Sequence, residues 1–299
     1  MESRLDKVIK QIETDTFLGK VINLSGEGIG DEGAKKLARA LKDKNLNLEG
    51  INLDENKIGD EGAVKLAEVF AGMKELKLVE MGMNKIGSNG ASALMTNGSF
   101  RSLDLRGNSM EDGEIKAPSA RHFDRLNLSD CRLTSKIIRS IQATVKSLNL
   151  SNNELNDDVF ECINVSGLRE INLTQNEITF EAEKSIADFL KRHNDELKII
   201  NLKNNLIGDE GAGVCFKLLK NSKVEQLDLS WNQIESWVKA GALKELCCNL
   251  NLEHNPISPA PIMHFSGTTK DKKITTNVSL EARIEEKEGA IVNKIIRKR

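Results

Sequence analysis

The chain lacks the long apolar stretches that membrane insertion and conventional secretion require. Its 299 residues contain no run of 18 apolar residues, and no charged segment leading into an apolar one stands at the start. The five cysteines are an odd number without C-x-x-C spacing, which argues against a disulfide framework. We therefore expect a cytoplasmic protein with reduced cysteines and no membrane partner.

The sequence also lacks a large excess of positive or negative charge. The 43 lysines and arginines nearly balance the 45 aspartates and glutamates, which gives a formal net charge of -2, and the two signs are interleaved along the chain. A nucleic-acid-binding protein usually carries a basic face, and this sequence has no such footprint. We expect no nucleic-acid partner.

The motifs of common enzyme classes are also absent. The sequence contains no G-x-x-x-x-G-K-[ST], no H-E-x-x-H and no G-x-S-x-G. None of its four histidines stands at metal-ligand spacing from another histidine or a cysteine: His122, His193, His254 and His264. These absences predict a protein that is not an enzyme and holds no cofactor or metal.

What the chain does contain is a repeated pattern. Apolar residues occupy positions 1, 4, 6 and 11 of each repeat and asparagine occupies position 9, as in Leu48-Ile51-Leu53-Asn56-Ile58. About ten repeats follow one another at steps of about 22 to 29 residues. Position 6 falls at Leu24, Leu53, Met81, Leu105, Leu128, Leu150, Leu173, Leu202, Leu229 and Leu252.

Each L-x-L core predicts a short strand. Alternation turns positions 4 and 6 inward and positions 3, 5 and 7 outward, while the asparagine at position 9 leaves the strand and turns the chain. Its amide can donate to and accept from backbone groups of neighbouring repeats, so the stacked copies predict a ladder. Cys131 and Glu27 replace the asparagine in two repeats, and we expect Glu27 at a partly wet edge.

A second motif follows four of the repeats. The sequence Ile-Gly-Asp-Glu-Gly-Ala occurs at residues 29–34, 58–63 and 207–212, with the variant Ile-Gly-Ser-Asn-Gly-Ala at 86–91. Together with the leucine pattern, it resembles the leucine-rich-repeat family and specifically its ribonuclease-inhibitor-like branch. The resemblance spans about residues 20–258. It implies an α/β solenoid of horseshoe shape, with a concave parallel sheet inside and helices outside.

The same motif predicts how the outer helices begin. Its Asp or Ser stands just ahead of an apolar-periodic run, so we expect the side-chain oxygen to cap the amides of that helix. The middle repeats are shorter, and the segment Glu111–Ala120 contains Gly113 and Pro118. Because both residues disfavour a helix, we expect an irregular outer side there.

Both ends of a solenoid need a cap, because the outermost repeats would otherwise expose apolar flanks. We divide the chain into a cap helix at residues 1–20, a solenoid at 21–258 and a cap or tail at 259–299. An amphipathic helix is predicted over residues 3–14 by Leu5, Val8, Ile9 and Ile12. A second helix is predicted near the end by Leu280, Ile284, Ile291 and Ile295.

The tail also resembles an export signal. The block Glu285-Glu286-Lys287-Glu288 lies close to the C-terminus, and effectors exported by bacterial type IV secretion systems often carry a glutamate-rich block there. The same residues also suit the surface of a capping helix. Both interpretations stay open.

Departures from the asparagine and serine background mark the outward surface. We define a tryptophan patch as the main candidate for binding a partner: Ile199, Lys203, Trp231, Glu253 and His254. Trp231 and His254 both occupy position 8, so we expect them to be neighbours, flanked at position 7 by Lys203, Ser230 and Glu253. Exposed tryptophan is enriched among binding hot spots, and packing of Trp231 over the next turn is the alternative.

We define an arginine patch as the secondary candidate surface: Leu78, Glu80, Met83, Asp104 and Arg106. Glu80 and Asp104 occupy position 5 of adjacent repeats and should stand about 5 Å apart. That spacing fits an acid–base pair, a partner-binding patch or a solvated charge cluster. An open groove desolvates little and Arg106 can neutralise the pair, which favours the charge cluster.

These features favour a monomeric scaffold for protein–protein interactions, because a curved sheet presents many side chains and no reactive constellation is present. Within that class, the tail favours a secreted bacterial effector that enters a host cell without a conventional signal peptide and binds a host protein. Two alternatives remain. One is a GTPase regulator resembling the Ran-activating branch of these repeats, and the other is a sensor or inhibitor module of a larger receptor.

Overall fold

The computed structural model describes residues 2–235 and 248–257, except Asp112, Phe180, Ala182, Asn194 and Asn221, and the backbone of residues 274–275, 280–287 and 290–297. The chain forms two compact units. Unit 1 comprises Met1–Asn153 and Asn164–Ser166, and unit 2 comprises Glu154–Ile163 and Gly167–Arg299. Each unit contains a parallel sheet of short strands.

Unit 1 opens with helix α1 (Arg4–Glu13), which lies where the apolar spacing predicts a helix. The elements that follow are β1 (Val21–Asn23), α2 (Gly30–Leu41), β2 (Gly50–Asn52), α3 (Asp60–Phe70), β3 (Leu78–Glu80), α4 (Ser88–Asn97), β4 (Ser102–Asp104), β5 (His122–Asn127), α5 (Ser135–Arg139) and β6 (Thr144–Asn149). Each strand pairs in parallel with the next, so Ile22, Ile51 and Val79 stand side by side.

Unit 2 has the same kind of arrangement. Its elements are α6 (Val159–Cys162), β7 (Glu170–Asn172), α7 (Glu183–His193), β8 (Ile199–Asn201), α8 (Gly208–Leu219), β9 (Gln226–Asp228), β10 (Asn249–Asn251) and β11 (Ile274–Thr275). Strands β7 to β11 pair in parallel in chain order. Two last strands, β12 (Leu280–Lys287) and β13 (Ala290–Arg297), pair with each other in antiparallel register.

Strand residues alternate between core and surface as the repeat pattern predicts. In β1, Ile22 is buried between the exposed Val21 and Asn23. The residues at positions 4 and 6, such as Ile51 and Leu53, are buried in every repeat. Burying one such side chain contributes about 1.5–3 kcal/mol, so these two columns form the core.

The asparagine at position 9 forms the predicted ladder. Asn84 Oδ1 accepts from the backbone N–H of Asn56 at 3.1 Å and of Ile58 at 2.9 Å, and Asn84 Nδ2 donates to the Leu53 carbonyl at 2.9 Å. Each rung thus ties one repeat to the backbone of the repeat before it. The other buried rungs are Asn56, Asn108, Asn153, Asn176, Asn205, Asn232 and Asn255.

The two substituted rungs behave differently. Cys131 Sγ donates to the Leu105 carbonyl at 3.2 Å, but a thiol offers no amide oxygen, and the Met110 N–H donates to the Cys131 carbonyl at 3.0 Å instead. Glu27 is exposed and lies 3.7 Å from Arg4 of α1. Its position at a wet edge confirms the expectation for that repeat.

The aspartate of the Ile-Gly-Asp-Glu-Gly-Ala motif caps the next helix, so the expectation that it caps its own is wrong. No side chain caps α2. Instead, Asp31 Oδ1 accepts from the N–H of Gly59 at 2.7 Å and of Gly62 at 2.9 Å, where α3 begins. Stacking places these amides directly against the carboxylate.

Repetition of this contact forms what we call the aspartate relay. Asp60 Oδ1 accepts from Gly87 at 2.7 Å and Gly90 at 2.9 Å, where α4 begins. The contact explains the second glycine of the motif, because a Cβ at Gly62 would lie 2.6 Å from Asp31 Oδ1. In α4 the motif has Ser88 instead of aspartate, and the relay through these helices ends there.

Past α4 the outer side of unit 1 is irregular, as Gly113 and Pro118 predict. No helix lies between Met110 and Phe123 in the described residues, and α5 has only 5 residues. Arg121 fills part of this side. Its Nε donates to the Met95 carbonyl at 2.7 Å, and its guanidinium lies over the rings of Phe100 and Phe123.

The helix predicted near the C-terminus is wrong. The backbone there forms β12 and β13, paired from Leu280↔Arg297 to Lys287↔Ala290. Apolar residues alternate at Leu280, Ala282 and Ile284, and β-branched residues dominate β13, both of which favour strands. Residues 259–273 and Glu288 lie outside the described residues, so the limits of a cap stay a prediction.

Candidate partner-binding surfaces

Position 8 of every repeat adopts a left-handed backbone conformation. The φ angle lies between 52° and 74° at Gly26, Glu55, Met83, Gly107, Asp130, Asn152, Gln175, Asn204, Trp231 and His254. This conformation continues the backbone pairing of neighbouring repeats past the end of the strand. For example, the Trp231 N–H donates to the Glu253 carbonyl at 3.1 Å. Glycine and asparagine adopt it readily, whereas for other residues it costs about 1–2 kcal/mol.

Trp231 and His254 are neighbours, as their shared position predicts. Their rings stack with centroids 4.4 Å apart and planes inclined by 19°. The Trp231 side chain nevertheless stays 49% exposed, so packing over the next repeat accounts for only part of it, and its role in binding stays a prediction. One face packs against the His254 ring of the next repeat, and no second ring stacks on the indole among the residues that the structure describes.

The remaining members of the tryptophan patch surround this stack. Lys203 is exposed, while Ile199 and Glu253 are half-buried. Ser230 does not project beside them as predicted, because it is buried at 2% exposure. The surface at position 7 therefore has Lys203 and Glu253 on either side of a recessed serine.

An open hollow of about 320 Å³ lies beside the patch on strands β8, β9 and β10. Its lining consists of Ile199, Ile200, Asn201, Gln226, Leu227, Asp228, Asn249, Leu250 and Asn251. Asp228 is held in place, because Oδ1 accepts from the Ser230 N–H at 2.8 Å and Oδ2 accepts from Asn251 Nδ2 at 2.9 Å. Of the predicted patch, only Ile199 lines this hollow.

Sequence reasoning missed one exposed apolar residue near the patch. Leu206, at position 10 of the turn that contains Asn204, is 48% exposed. Position 10 lies outside the strand, where alternation gives no direction. One signal could have revealed Leu206. Other repeats have a charged residue at position 10, such as Lys57 and Glu177, whereas this repeat has leucine.

The arginine patch is centred on a network of charges. Glu80 and Asp104 pair across β3 and β4, as predicted. Arg106 binds Asp104 through Nη1 and Asp54 through Nη2, the latter at 2.7 Å. Asp54 lies two repeats before Arg106 and was not predicted. Gly82 makes the contact possible, because a Cβ there would lie 2.9 Å from Arg106 Cγ.

Arg106 binds Asp104 as expected, but Glu80 is desolvated more than an open groove predicts, so the choice between a charge cluster and an acid–base pair stays a prediction. Partial burial, together with the Asp54 and Asp104 carboxylates, raises the pKa of Glu80 above its usual range. Asp104 is fixed by Arg106, whose N–H also donates to Asp104 Oδ1 at 2.9 Å. Leu78 is 36% and Met83 52% exposed, and both are open to contact.

The other side chains that could bind a metal or react chemically do not lie together. Across the described ranges, no three His, Cys, Asp or Glu side chains converge in a way that could hold a metal ion. Burial raises the pKa of the Cys131 and Cys215 thiols to about 12, so both are poor nucleophiles at neutral pH. Burial, with Arg192 nearby, lowers the pKa of His193 to about 4. Cys247 and His264 lie outside the described residues.

The glycines of the first motif match the spacing of a dinucleotide-binding loop, Gly28-x-Gly30-x-x-Gly33. The structure gives them another role. The N–H groups of Glu27 and Ile29 donate to Asn56 Oδ1, and the Gly30 N–H donates to the Asn56 carbonyl at 2.8 Å. These amides belong to the asparagine ladder and are not directed at a phosphate.

Comparisons with known proteins agree with the repeat pattern. The Leucine Rich repeat family matches residues 20–38, 44–67, 75–95, 142–158 and 220–236. The ribonuclease inhibitor of Sus scrofa is 28% identical over 241 residues, which cover 76% of this chain and 47% of that protein. The chain thus spans about half the length of this relative.

Two solved structures are also similar. The crystal structure of the Rad7 and Elc1 complex in yeast matches with a TM-score of 0.43 and 17% identity, covering 79% of this chain and 63% of that one. Leiomodin-1 actin-binding site 2 matches with a TM-score of 0.30 and 14% identity, covering 74% of this chain and 90% of that one.

No helix in the described ranges has both the length and the apolar character that crossing a membrane demands. The segments matched by the family contain β1, β2, β3, β6 and β9, each with its leucine columns. The asparagine ladder joins each of these segments to a neighbouring repeat. The fold is therefore an α/β leucine-rich-repeat fold, and its repeats are similar to those of the ribonuclease inhibitor.

Proposed function

We propose that this chain is an intracellular scaffold that binds a protein partner mainly through the tryptophan patch. Leucine-rich-repeat proteins are protein-interaction scaffolds, and their sheets present many side chains along one surface. The observation that carries the proposal is the half-exposed indole of Trp231 at a backbone position where asparagine or glycine would be adopted more readily.

A structural role accounts for only part of Trp231. Its stack on His254 contributes about 0.5–1.5 kcal/mol beyond the apolar area that it buries, and its left-handed conformation costs about 1–2 kcal/mol. These effects concern the buried part of the side chain. The exposed part adds nothing to folding, whereas an exposed tryptophan with a polar rim is typical of a binding hot spot.

The arginine patch is the weaker candidate. Its exposed apolar residues, Leu78 and Met83, are comparable in exposure to Trp231. Arg106, however, already binds Asp54 and Asp104, so a partner would have to displace an internal ion pair to use it. That displacement opposes binding.

Affinity capture from cytosolic extract, followed by calorimetric titration of the captured partner, tests the proposal. Trp231→Ala should weaken binding by about 2 kcal/mol or more, with the melting temperature nearly unchanged. Met83→Ala is the matched control, because Met83 has the same position in its repeat, a left-handed φ and similar exposure. If Met83→Ala loses binding and Trp231→Ala does not, the binding site is the arginine patch and the proposal is wrong.

A ribonuclease belongs in the same titrations, because the relative from Sus scrofa is named a ribonuclease inhibitor. Binding that Trp231→Ala abolishes would make a ribonuclease the partner class. The absence of binding would leave the captured partner as the ligand to pursue.

We also propose that the chain is a bacterial effector exported into a host cell, where it binds a host protein. Support comes from the sequence of the tail, in which Glu285, Glu286 and Glu288 surround one lysine. A triple change of these glutamates to lysine should abolish export by a type IV secretion system, measured with a reporter fusion in host cells. Normal export of the folded triple variant would contradict the proposal.

A further inference from the structure

The stack of Trp231 on His254 leaves a place for a third planar group. His254 belongs to the repeat after Trp231 and covers the indole face on that side. The opposite face therefore points toward the preceding repeat, whose residue at position 8 is the exposed Asn204. An asparagine side chain is too short to cover an indole. A ring inserted above Asn204 would lie at stacking distance from Trp231.

Lys203 supplies a positive charge beside this place. Lys198 and Lys223, before the start of strands β8 and β9, are both in ion pairs, with Glu225 at 2.7 Å and with Asp195 at 2.9 Å. No ion pair involving Lys203 occurs among the residues that the structure describes. The nearest carboxylate at position 7, that of Glu253, belongs to the second strand away, a distance of about 10 Å.

The surrounding charges disfavour a cation as the third member of the stack. An arginine or lysine of a partner could lie on the indole, but it would be next to the positive Lys203. The Asp228 carboxylate is held at position 5 by hydrogen bonds from Ser230 and Asn251, three residues or about 10 Å along the chain from position 8, so it is a distant counter-charge. An aromatic side chain meets no such opposition.

We infer that the tryptophan patch recognises a partner segment in which an aromatic residue stands next to an acidic one. The aromatic ring stacks on the open face of Trp231, and the adjacent carboxylate pairs with Lys203. The exposed Leu206, two residues after Asn204, and the hollow lined by Ile199 are available to the rest of the segment. This inference rests on the proposed function and names the chemistry of the partner.

Selection from a random-peptide library displayed on phage tests the inference with the full chain as bait. Wild type should enrich peptides that contain an aromatic residue adjacent to Asp or Glu. Fluorescence anisotropy then gives the dissociation constant of an enriched peptide, of its aromatic-to-Leu version and of its acidic-to-Lys version. Each change should weaken binding about tenfold, which corresponds to about 1.4 kcal/mol.

Charge exchange provides the decisive comparison. Lys203→Glu should weaken the acidic peptide about tenfold and restore binding of the acidic-to-Lys version. Lys203→Glu changes an exposed side chain, so the fold should tolerate it, and Met83→Ala should leave both peptides unaffected. Unchanged preference in Lys203→Glu would overturn the inference.

The remaining outcomes separate this inference from the proposed function. Enriched peptides that need Trp231 but contain no aromatic residue would overturn the inference and leave the proposed site standing. Enriched peptides that lose binding in Met83→Ala and not in Trp231→Ala would overturn both. Failure to enrich any sequence above the unselected library would also count against the inference, because a linear segment would then not suffice.

Discussion

Repeats 1 to 3 carry outer helices of 12, 11 and 10 residues, whereas repeat 4 has no helix in the described residues and repeat 5 has one of 5 residues. The strand side is nevertheless the same in both regions. Asn84 and Asn153 make matching sets of hydrogen bonds, and the apolar residues at positions 4 and 6 are buried in every repeat. The two sides of this unit are therefore specified separately.

The difference follows from what each side requires of the sequence. A rung of the ladder needs a single asparagine, because the backbone groups that it binds are present in any repeat. The relay needs an aspartate in one repeat and two glycines in the next, so that an oxygen of Asp31 can reach the amides of Gly59 and Gly62. The outer side varies because three residues, one aspartate and two glycines, must all be present for the relay contact to form.

Removal of a ladder rung should have the largest effect and should affect both regions equally. Asn84→Ala and Asn153→Ala should each destabilise the protein by about 2–3 kcal/mol, since each leaves two buried N–H groups without acceptors. Chemical denaturation measures both. The exposed Asn89→Ala should change stability by less than about 0.5 kcal/mol. A large difference between the two rungs would show that the strand side is not uniform.

A change in the relay should affect only the first region. Gly62→Ala should destabilise by about 2 kcal/mol, because its Cβ would lie 2.6 Å from Asp31 Oδ1 and 2.9 Å from the Ala34 Cβ. Asp31→Ala in the same chain should recover part of that loss, and denaturation of the single and double variants measures the coupling. Strictly additive effects would mean that Gly62 is not needed for the relay.

Acid should act on the helix side and spare the asparagine ladder, whose amides do not titrate. His193 ends α7 and is 8% exposed, and burial lowers its pKa from 6.5 to about 4. The unfolded chain therefore takes up the proton first as the pH falls. Stability is complete above about pH 6.5 and decreases toward pH 4, by about 1–2 kcal/mol at pH 5.

His193→Leu isolates this contribution from the carboxylates that titrate in the same range. The difference in unfolding free energy between wild type and His193→Leu, followed from pH 7 to pH 4, should change by the amount above. A constant difference would remove His193 as the source of acid sensitivity.

The smallest effect is expected at the substituted rung. Cys131→Ala should destabilise by about 1 kcal/mol or less, because a thiol is a weak donor and the Met110 N–H already binds the Cys131 carbonyl. The difference between the stability lost in Cys131→Ala and that lost in Asn153→Ala, measured under identical conditions, gives the contribution of the asparagine acceptor oxygen to a rung. Equal losses would contradict that division.

Local pattern was sufficient to predict the strand side. The L-x-L cores fix which residues are buried, and the shared position of Trp231 and His254 predicts their contact because register is kept between repeats. The cap helix followed from Leu5 and Ile12, which are both buried. Each of these predictions uses only positions within a repeat, the register that successive repeats share, or the spacing within one helix.

Contacts between repeats were harder to predict. Asp31 was assigned to its own helix, since the sequence does not show which amides a stacked repeat brings closest. The bond from Arg106 to Asp54 spans 52 residues and depends on the missing side chain of Gly82. At the C-terminus, apolar spacing that suits a helix was equally compatible with the strands β12 and β13.

The ladder and the relay run in opposite directions along the polypeptide, which gives its synthesis a fixed order of events. Asp31 is already made when Gly59 and Gly62 emerge, so α3 finds its cap at once. The turn at Asn56 and Ile58, by contrast, waits for Asn84 of the following repeat. On the ribosome, α3 and α4 can therefore close as they appear, while the turns before them wait for the following repeat.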